Sequence, residues 1–424
     1  MRDHSKHIQV RKDEAVKIIL DNCNFTAGTE SVAISEAAGR ILAEDILSLW
    51  DVPNCLTCRM DSVAVRWDDF ADGMPDTSSW ERGVQWEFAN TGVAMPQGFD
   101  TAIVIEHVIL SDNDTKIAFD ALPSGRYSGT SAPASKVKKG DLLVPSGTYI
   151  TPNAAALIAS GGHTEAEVLK RPKVAFLPTG NELIKAGGEI PAGRNIESNS
   201  YMMEHKIISW GGEPVIYDII PDDKEALKGA LYDASENADI VILNAGSSKG
   251  NDDWGIEMLE EAGTVFYHQT NHGPGHHSSF GVLNGTPVIG ISGPPGGAAF
   301  TADFYVYPAV MKYLGRDPYP KKLKVRLGQE IRSPFSHKPE AGSAAVKGED
   351  RPREGGEFHA VRQVKIIQAD DGILEAYSVS SSMHPGLLEA EHADAYYIMP
   401  SWEGEPQPAK GDMIEVELRP EYIK

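Results

Sequence analysis

The sequence is poor in several features whose scarcity excludes whole classes of protein. It has 3 cysteines, Cys23, Cys55 and Cys58, so we expect no disulfide framework and a reducing compartment. Cys55 and Cys58 form a single C-x-x-C, and two ordinary thiols are the simpler interpretation, because a zinc site needs two more close ligands. No run approaches the roughly 18 apolar residues of a membrane helix. The polar N-terminus also lacks the apolar core of a signal peptide, so we expect a cytoplasmic protein without a membrane partner.

Basic residues and nucleotide-binding motifs are also scarce. The chain has 39 Lys and Arg against 61 Asp and Glu, a net charge of −22. Contact with a nucleic-acid backbone needs clustered cations, so this balance argues against a nucleic-acid partner. Neither a Walker P-loop nor a G-x-G-x-x-G motif occurs. With 424 residues, the chain is long enough for about three or four domains.

The middle of the chain carries three apolar segments that each end in a glycine-rich loop. These segments are residues 173–178, 239–244 and 286–291. Such runs are typical of buried parallel strands, and the loops at the carboxyl ends of parallel strands form ligand crevices. Helices are expected between and after them, at 199–210, 224–234, 254–261 and 298–314. The sequence therefore predicts an α/β domain with its function in the glycine loops.

The remaining segments predict a multidomain α/β plus β fold. Residues 10–23 and 34–46 have helical spacing and predict an αα scaffold, which is resumed by a helix at 152–161. Short β-branched runs predict an all-β insertion, and alternating strands predict a small C-terminal barrel or sandwich. The expected domains are a helical scaffold (1–49 and 146–171), the inserted β domain (50–145), the α/β domain with a parallel-rich sheet (172–318) and the C-terminal β-barrel-like domain (319–424).

Several carboxylates lie in loops, where a role in the hydrophobic core is excluded. They are Asp61, Glu182, Asp222, Asp223, Asp252 and Asp253. Clustered carboxylates at a crevice bind Mg²⁺ or position a water molecule. The alternative is helix capping, because Asp223 and Asp253 directly precede predicted helices, and the two roles are compatible. The residues alone leave both open.

Four histidines are spaced closely enough to suggest a metal site, but the local sequence does not favour one. His268, His272, His276 and His277 have suggestive spacing, but 273–275 reads Gly-Pro-Gly and breaks any helix between them. Ordinary structural histidines are the simpler interpretation.

Six motifs in order resemble the MoeA family of molybdopterin molybdenumtransferases, to which the E domain of gephyrin belongs. Residues 60–65, Met-Asp-Ser-Val-Ala-Val, are similar to the family's M-D-G-Y-A-V, and residues 91–101 follow its T-G-x-x-x-P-x-G-x-D pattern. The other four are Gly140-Asp141-Leu142, 179–183 (Thr-Gly-Asn-Glu-Leu), Ser198-Asn199-Ser200 and the loop from 239 to 253. The resemblance covers nearly the whole chain.

The resemblance implies a subunit of four domains that forms a homodimer, with a MogA-like molybdopterin-binding α/β domain. It implies an enzyme that takes adenylated molybdopterin and molybdate as substrates. In a step that depends on Mg²⁺, such an enzyme hydrolyses off AMP and inserts molybdate at the dithiolene. A MogA-like adenylyltransferase would act upstream, and molybdoenzymes would receive the cofactor downstream.

The resemblance also assigns roles position by position. The catalytic candidates are Asp61, Glu182, Asp222 and Asp253, of which Glu182 and Asp253 would hold the metal. The cleft would form between the α/β domain and the β insertion of the partner subunit. The candidates for binding the pterin and its anions are Thr91, Asp141, Thr179, Gly180, Gly246, Ser248, Lys249, Gly250, His276, Ser292 and Pro295.

The departures from the family pattern concentrate on the anion-binding side. Where the family has K-P-G-K-P, residues 273–277 read Gly-Pro-Gly-His-His, and where it has L-P-G-N-P-x-S, residues 291–297 read Ile-Ser-Gly-Pro-Pro-Gly-Gly. Thr-Gly-Asp-Glu has become Thr-Gly-Asn-Glu at 179–182, and the loop 245–253 is also changed. Loss of two cations weakens an anion pocket, and Lys249 with a protonated His276 or His277 would replace them only in part.

Three functions therefore remain open. The first is transfer of molybdate, and the second is a specialised paralogue that handles another oxyanion, such as tungstate. The third is a carrier that binds molybdopterin without transferring metal. A MogA-like adenylyltransferase is disfavoured, because that activity has no need of the scaffold and the β insertion.

Overall fold

The computed structural model describes residues 9–244, 259–261, 263–331, 358–380, 386–401 and 406–422. The chain divides into two compact units. One consists of residues 29–169, and the other combines the N-terminal 28 residues with residues 170–424. Each unit has its own buried core, and each is described in turn.

The described part of the chain begins with a short strand and a helix that belong to the larger unit. These are β1 (Gln9–Val10) and α1 (Lys12–Asn22). The buried face of α1 consists of Ala15, Val16 and Ile19, at the spacing that puts residues on one side of a helix. Near its start, the Lys12 ammonium contacts both carboxylate oxygens of Glu417, at 2.6 and 2.7 Å. Both side chains are buried, so α1 is fixed against the C-terminal part of the chain.

The unit of residues 29–169 is mostly built of short strands. Strands β6, β5 and β7 form an antiparallel sheet around the buried Trp86, and β2 pairs with β12. Its helix α2 (Pro152–Ser160) has a proline in its first turn and is capped by Thr151, whose Oγ1 accepts from the Ala154 N–H at 3.1 Å. The strands are β2 (Thr29–Ala33), β3 (Ile46–Leu47), β4 (Thr57–Cys58), β5 (Ser62–Val65), β6 (Trp86–Ala89), β7 (Thr101–Val104), β8 (Val108–Ser111), β9 (Lys116–Phe119), β10 (Thr130–Ser131), β11 (Leu142–Val144) and β12 (Glu165–Leu169).

The helix expected at 34–46 is absent from this unit, and that prediction is wrong. Only Ile34–Glu36 form a single 3-10 turn. The chain reverses at Gly39, whose φ of +83° ends any helix, and Leu42 then forms a bridge to Val168 of β12. The apolar residues that mimic helical spacing are therefore buried by strand-like pairing.

The larger unit contains a six-stranded sheet in the order β16-β13-β17-β22-β21-β18. The first four strands pair in parallel, and β21 pairs antiparallel with both β22 and β18. Helix α4 packs Leu227 and Leu231 against one face of it. The elements are β13 (Lys173–Pro178), β14 (Leu183–Ile184), β15 (Asn195–Ile196), α3 (Asn199–Trp210), β16 (Glu213–Ile216), α4 (Lys224–Asn237), β17 (Ile240–Asn244), β18 (Thr264–Tyr267), β19 (Gln269–Thr270), β20 (His272–Gly273), β21 (Ser279–Leu283), β22 (Thr286–Ile291), α5 (Pro295–Thr301) and α6 (Tyr307–Tyr313).

The predicted parallel-rich sheet is confirmed, with its three apolar strands as neighbours. The helices expected at 199–210 and 224–234 are present as α3 and α4. The helix expected at 298–314 is present as α5 and α6, joined by a π-helical segment, Ala302–Val306. The helix expected at 254–261 lies mostly outside the described residues.

The end of the chain forms a closed barrel of five strands. Its strands are β23 (Lys322–Leu327), β24 (His359–Gln368), β25 (Leu374–Ser378), β26 (Ala395–Pro400) and β27 (Met413–Leu418), with α7 (Leu387–Glu391) before β26. The order is β24-β25-β23-β27-β26, and β26 pairs back to β24. Strand β20 pairs in parallel with β24, while β19 pairs with β1. The predicted barrel-like domain is confirmed.

The two predicted scaffold helices that are present, α1 and α2, belong to different compact units. Helix α1 belongs to the unit of residues 170–424, and α2 to the unit of residues 29–169. The reason is the buried Lys12–Glu417 ion pair and the apolar face of α1, neither of which can be assigned a partner from local sequence.

Candidate functional site

Three adjacent parallel strands bring the predicted glycine loops to one edge of the sheet. Strand β17 lies between β13 and β22, so the residues that end or follow them, Asn244, Thr179 and Ser292, are on neighbouring strand ends. The Thr179 hydroxyl donates to the Asn244 carbonyl at 3.0 Å, and its N–H donates to the same oxygen at 3.3 Å. The expected crevice loops of the α/β domain are therefore brought together.

The turn after β13 places the Glu182 carboxylate beside Gly180. Gly180 has a φ of +144°, and a Cβ built there would lie 2.7 Å from Glu182 Oε2. Glycine is required here both for its backbone conformation and for the space that the carboxylate occupies. Glu182 is exposed, so its carboxylate is free to meet a ligand or water.

Asp222 is joined to this turn by a reciprocal pair of hydrogen bonds. The Asn181 N–H donates to Asp222 Oδ2 at 3.0 Å, and the Asp222 N–H donates to Asn181 Oδ1 at 3.1 Å. The helix cap is the next residue, because Asp223 Oδ1 accepts from the Ala226 N–H at 2.9 Å. Capping therefore explains Asp223, while Asp222 holds the Thr179–Glu182 turn.

A chain of two buried asparagine amides links the other two strand ends to α3. Asn199 Nδ2 donates to Asn244 Oδ1 and to the Gly293 carbonyl, both at 2.8 Å. Asn244 Nδ2 donates in turn to the Ser292 carbonyl at 2.7 Å. We call this the amide relay. Sequence analysis assigned no role to either asparagine, although a polar residue that ends the buried run Ile-Val-Ile-Leu-Asn is a usable signal.

Ser292 and Pro295 lie where β22 turns into α5. The Ser292 N–H donates to Thr301 Oγ1 at 3.3 Å, and a Cβ on Gly297 would lie 2.4 Å from the Ser292 hydroxyl. Pro295 is the first residue of α5. The Gly-Gly pair of the altered family motif thus allows the loop to fold tightly onto the first turn of α5.

The histidine segment packs beside α5. Gly275 has a φ of +91°, and a Cβ there would lie 2.7 Å from Thr301 Cγ2. His276 is half-buried and His277 is exposed, with ring centroids 3.8 Å apart. His272 is fully buried, where Tyr305 donates to its Nε2 at 2.5 Å and its Nδ1 contacts the Pro274 carbonyl at 3.1 Å.

In the unit of residues 29–169, the structure brings Asp61 and Thr91 together. Asp61 Oδ1 accepts from the Thr91 N–H at 2.9 Å and from its hydroxyl at 3.1 Å. Asp141 lies in the turn before β11, where its Oδ2 accepts from the Lys138 N–H at 2.9 Å. Asp61 and Asp141 thus directly precede strands of two different sheets, β5 and β11.

The other predicted residues of the second glycine loop lie outside the described residues. They are Gly246, Ser248, Lys249, Gly250 and Asp253.

In the described ranges, neither a metal cluster nor the two cavities near α1 add residues to the site. Within the described ranges, no group of three or more His, Cys, Asp and Glu residues is placed to hold a metal ion. Two cavities, of 890 and 340 Å³, lie between the start of α1 and the barrel, and neither is lined by the predicted site residues. The candidate site in the described ranges is the sheet edge that carries these loops. None of the helices in the described ranges is long and apolar enough to cross a membrane.

Two family profiles match separate parts of the chain. Residues 10–162 match the MoeA N-terminal region, domains I and II, and residues 175–312 match the probable molybdopterin binding domain. The sheet edge described above lies in the second match. The fold and site thus define the class of protein that carries a MoeA N-terminal region joined to a molybdopterin-binding domain.

Two relatives identify the family. A molybdopterin molybdenumtransferase from Haemophilus influenzae is 30% identical over 321 residues, which cover 73% of this chain and 79% of that protein. One from Staphylococcus epidermidis is 25% identical over 358 residues, which cover 78% and 83%. The chain belongs to the molybdopterin molybdenumtransferase family, an enzyme family, and the resemblance noted in the sequence is confirmed.

Solved structures support the same fold. Two crystal structures of a molybdopterin biosynthesis MoeA protein from Pyrococcus horikoshii match with TM-scores of 0.74 and 0.70 at 24% and 23% identity. Each match covers 97% of this chain and 99% or 100% of the other chain. The architecture of the whole chain is thus that of MoeA.

Proposed function

We propose that the protein inserts molybdate into adenylated molybdopterin and releases AMP. The observation that carries this proposal is the convergence of Thr179, Asn244 and Ser292 at one sheet edge inside the molybdopterin-binding domain. Ligands of open α/β sheets bind beyond the carboxyl ends of the strands, where loop N–H groups face the ligand.

The AMP-releasing step is a hydrolysis of the phosphoanhydride. The water oxygen forms a bond to phosphorus, the bridging P–O bond breaks, and its electron pair leaves with the departing phosphate. We propose that the exposed Glu182 carboxylate orients this water and accepts its proton. The Asn181–Asp222 pair keeps the turn in place while Glu182 acts.

Mg²⁺ fits the donors of this edge, although the described residues supply few of them. Magnesium is commonly held by one or two carboxylates, several waters and substrate phosphates, so a full cage of protein ligands is unnecessary. We propose Glu182 as its ligand in the described part of the site, with Asp253 as a second. The ion would neutralise charge on the phosphates.

We propose that Asp61, Thr91 and Asp141 complete the cleft from the partner subunit of a homodimer. An exposed apolar patch in the unit of residues 29–169 supports self-association. Leu47 and Leu142 are directly paired across β3 and β11, and they are 46% and 53% exposed. The nearby Trp50 is 48% exposed, and its Nε1 donates to the Ser160 carbonyl at the end of α2. A contiguous apolar surface of this kind marks a protein interface.

We also propose domain boundaries, a cellular location and the enzymes that act before and after this one. We retain the inserted β domain as residues 50–145 and the molybdopterin-binding domain as residues 172–318. We propose a cytoplasmic enzyme that receives its substrate from a MogA-like adenylyltransferase and supplies molybdoenzymes.

The test is release of AMP from adenylated molybdopterin by purified protein, with molybdate, in the presence and absence of Mg²⁺. We expect Glu182→Gln to slow AMP release by about 100-fold, since a general base contributes roughly that factor. The exposed Glu189 lies in the loop that follows, so Glu189→Gln is the matched control and should keep the wild-type rate. Wild-type protein that binds the substrate without releasing AMP would instead be a carrier, and the proposed transferase function would be rejected.

A further inference from the structure

The amide relay has a fixed orientation. Both ends of the relay meet backbone carbonyls, Ser292 at one end and Gly293 at the other, and a carbonyl oxygen only accepts. The Asn244 amide must therefore direct its Nδ2 at Ser292, which leaves its Oδ1 to accept from Asn199. Asn199 must in turn direct its Nδ2 at Asn244 and Gly293, and both of its N–H bonds are used.

This orientation leaves the Oδ1 atom of the Asn199 amide as a hydrogen-bond acceptor. Asn199 is only 5% exposed, and within the described ranges no donor lies at hydrogen-bond distance from its Oδ1. An enclosed amide oxygen without a donor costs roughly 1–3 kcal/mol. Asn199 is also the first residue of the 12-residue helix α3, at the edge where the three strand ends meet. The site therefore holds an acceptor that requires an N–H or O–H donor.

We propose that Asn199 is a specificity-determining residue whose Oδ1 accepts a hydrogen bond from an N–H group of the bound nucleotide-pterin substrate. This inference rests on the proposed function, because it assumes that the substrate is adenylated molybdopterin. Both halves of that substrate, the adenine amino group and the pterin ring, supply N–H donors, and the relay selects for that chemistry in either half. A group that only accepts is rejected, because the relay prevents the Asn199 amide from rotating.

The first measurement uses the wild-type protein and two nucleotides. Inosine monophosphate carries a carbonyl where AMP carries its amino group, so an acceptor replaces a donor. If Asn199 contacts the adenine, AMP should bind about tenfold more tightly than inosine monophosphate, as expected for one hydrogen bond. In Asn199→Ser, which lacks the amide oxygen, this preference should fall to within twofold.

The second measurement distinguishes the pterin from the adenine as the source of the donor. If Asn199 contacts the pterin, wild-type protein should bind the two nucleotides equally. Asn199→Ser should then weaken adenylated molybdopterin about tenfold and leave AMP unchanged. Asn237→Ser is the matched control, because Asn237 is a half-buried asparagine at the end of α4, where it contacts Asp233. It should change neither affinity.

Thermal unfolding monitored by circular dichroism establishes that each variant is folded, and Asn199→Thr replaces Asn199→Ser if the latter is not. The inference is overturned if every affinity stays within twofold of wild type in the Asn199 variant. In that case normal AMP release would leave the proposed function intact. Failure of wild-type protein to bind either AMP or adenylated molybdopterin would reject the proposed function and this inference together.

Discussion

The turn from Thr179 to Glu182 shows how single residues set the geometry of the site. Asn181 stands where the family has aspartate, and its amide oxygen accepts from the Asp222 N–H. The Asn181 N–H donates to the Asp222 carboxylate. The change from aspartate removes one negative charge beside Asp222 and retains an acceptor, so the turn is held without repulsion between two carboxylates.

Gly180→Ala is predicted to impair AMP release more than stability. The new Cβ would lie 2.7 Å from Glu182 Oε2 in a backbone conformation with a φ of +144°, so the carboxylate must move. We expect AMP release to fall roughly tenfold or more, because displacing a positioned group by about 1 Å costs of that order.

The matched control for this variant is Gly188→Ala in the loop that follows. A Cβ at Gly188 has no neighbour within 4 Å, and Gly188 does not have a positive φ. Kinetics of AMP release measured side by side decide the question. Equal rates for the two variants would mean that the position of Glu182 is unimportant.

Sequence analysis could find the charged candidates of the site but not the contacts that orient them. Acidic residues in loops are visible from pattern alone, which is why Glu182 and Asp222 were predicted. The roles of Asn199 and Asn244 depend on the approach of the first residue of α3 to the end of β17, which places their amides 2.8 Å apart. Contacts between residues 45 positions apart cannot be derived from local sequence.

Among the secondary-structure elements, long apolar runs were predictable and short paired segments were not. Strand β17 is buried along its whole length, so its composition alone predicts a parallel central strand. Residues 34–46 were predicted as a helix because Ile34, Leu42 and Ile46 fall near helical spacing. The two-residue strand β3 and the bridge at Leu42 bury Ile46 and Leu42 by distant pairing, which leaves no periodic signal.

Strand β20 carries the buried His272 between the α/β sheet and the barrel. The ring stacks on Tyr305, and Tyr305 donates to its Nε2. Burial is the main cause that lowers the pKa of His272 to about 3. The folded protein therefore keeps this ring neutral at a pH where an unfolded chain protonates it.

We predict that this histidine makes the protein less stable in mild acid. Below a pH of about 6.5 the unfolded chain gains a proton at His272 and the folded chain does not, until the pH reaches about 3. Folding stability should therefore be full above pH 6.5 and fall as the pH is lowered, by up to about 1.4 kcal/mol per pH unit from this residue.

Urea denaturation at several pH values measures this dependence. His272→Gln should be less stable at neutral pH and should have a flatter slope between pH 6.5 and 4. His205→Gln, which changes an exposed histidine on α3, is the control and should keep the wild-type slope. An unchanged slope in His272→Gln would show that His272 is not the group responsible.

For the molecule as a whole, the exposed apolar patch of the unit of residues 29–169 predicts the oligomeric state. Leu142→Lys places a charge where an interface would exclude water, so we expect the proposed homodimer to dissociate into monomers. Ile109→Lys is the control, because Ile109 is on strand β8 of the same unit and is 54% exposed, against 53% for Leu142.

Light scattering coupled to size-exclusion chromatography gives the mass of each variant. Monomeric Leu142→Lys with dimeric Ile109→Lys is the expected result. If the wild type is a monomer, or if both variants remain dimers, this patch is not the interface. Loss of AMP release in monomeric Leu142→Lys would further support a cleft completed by Asp61 and Thr91 of the partner subunit.

The buried contact between Lys12 and Glu417 joins residues 405 positions apart. During synthesis, Lys12 leaves the ribosome long before its counter-ion has been translated. Residues 29–169 form a separate unit whose synthesis ends well before Glu417 is made. This unit can therefore fold while Lys12 of α1 still lacks its counter-ion. We therefore expect α1, the first of the described helices to be synthesised, to be among the last described elements to be buried.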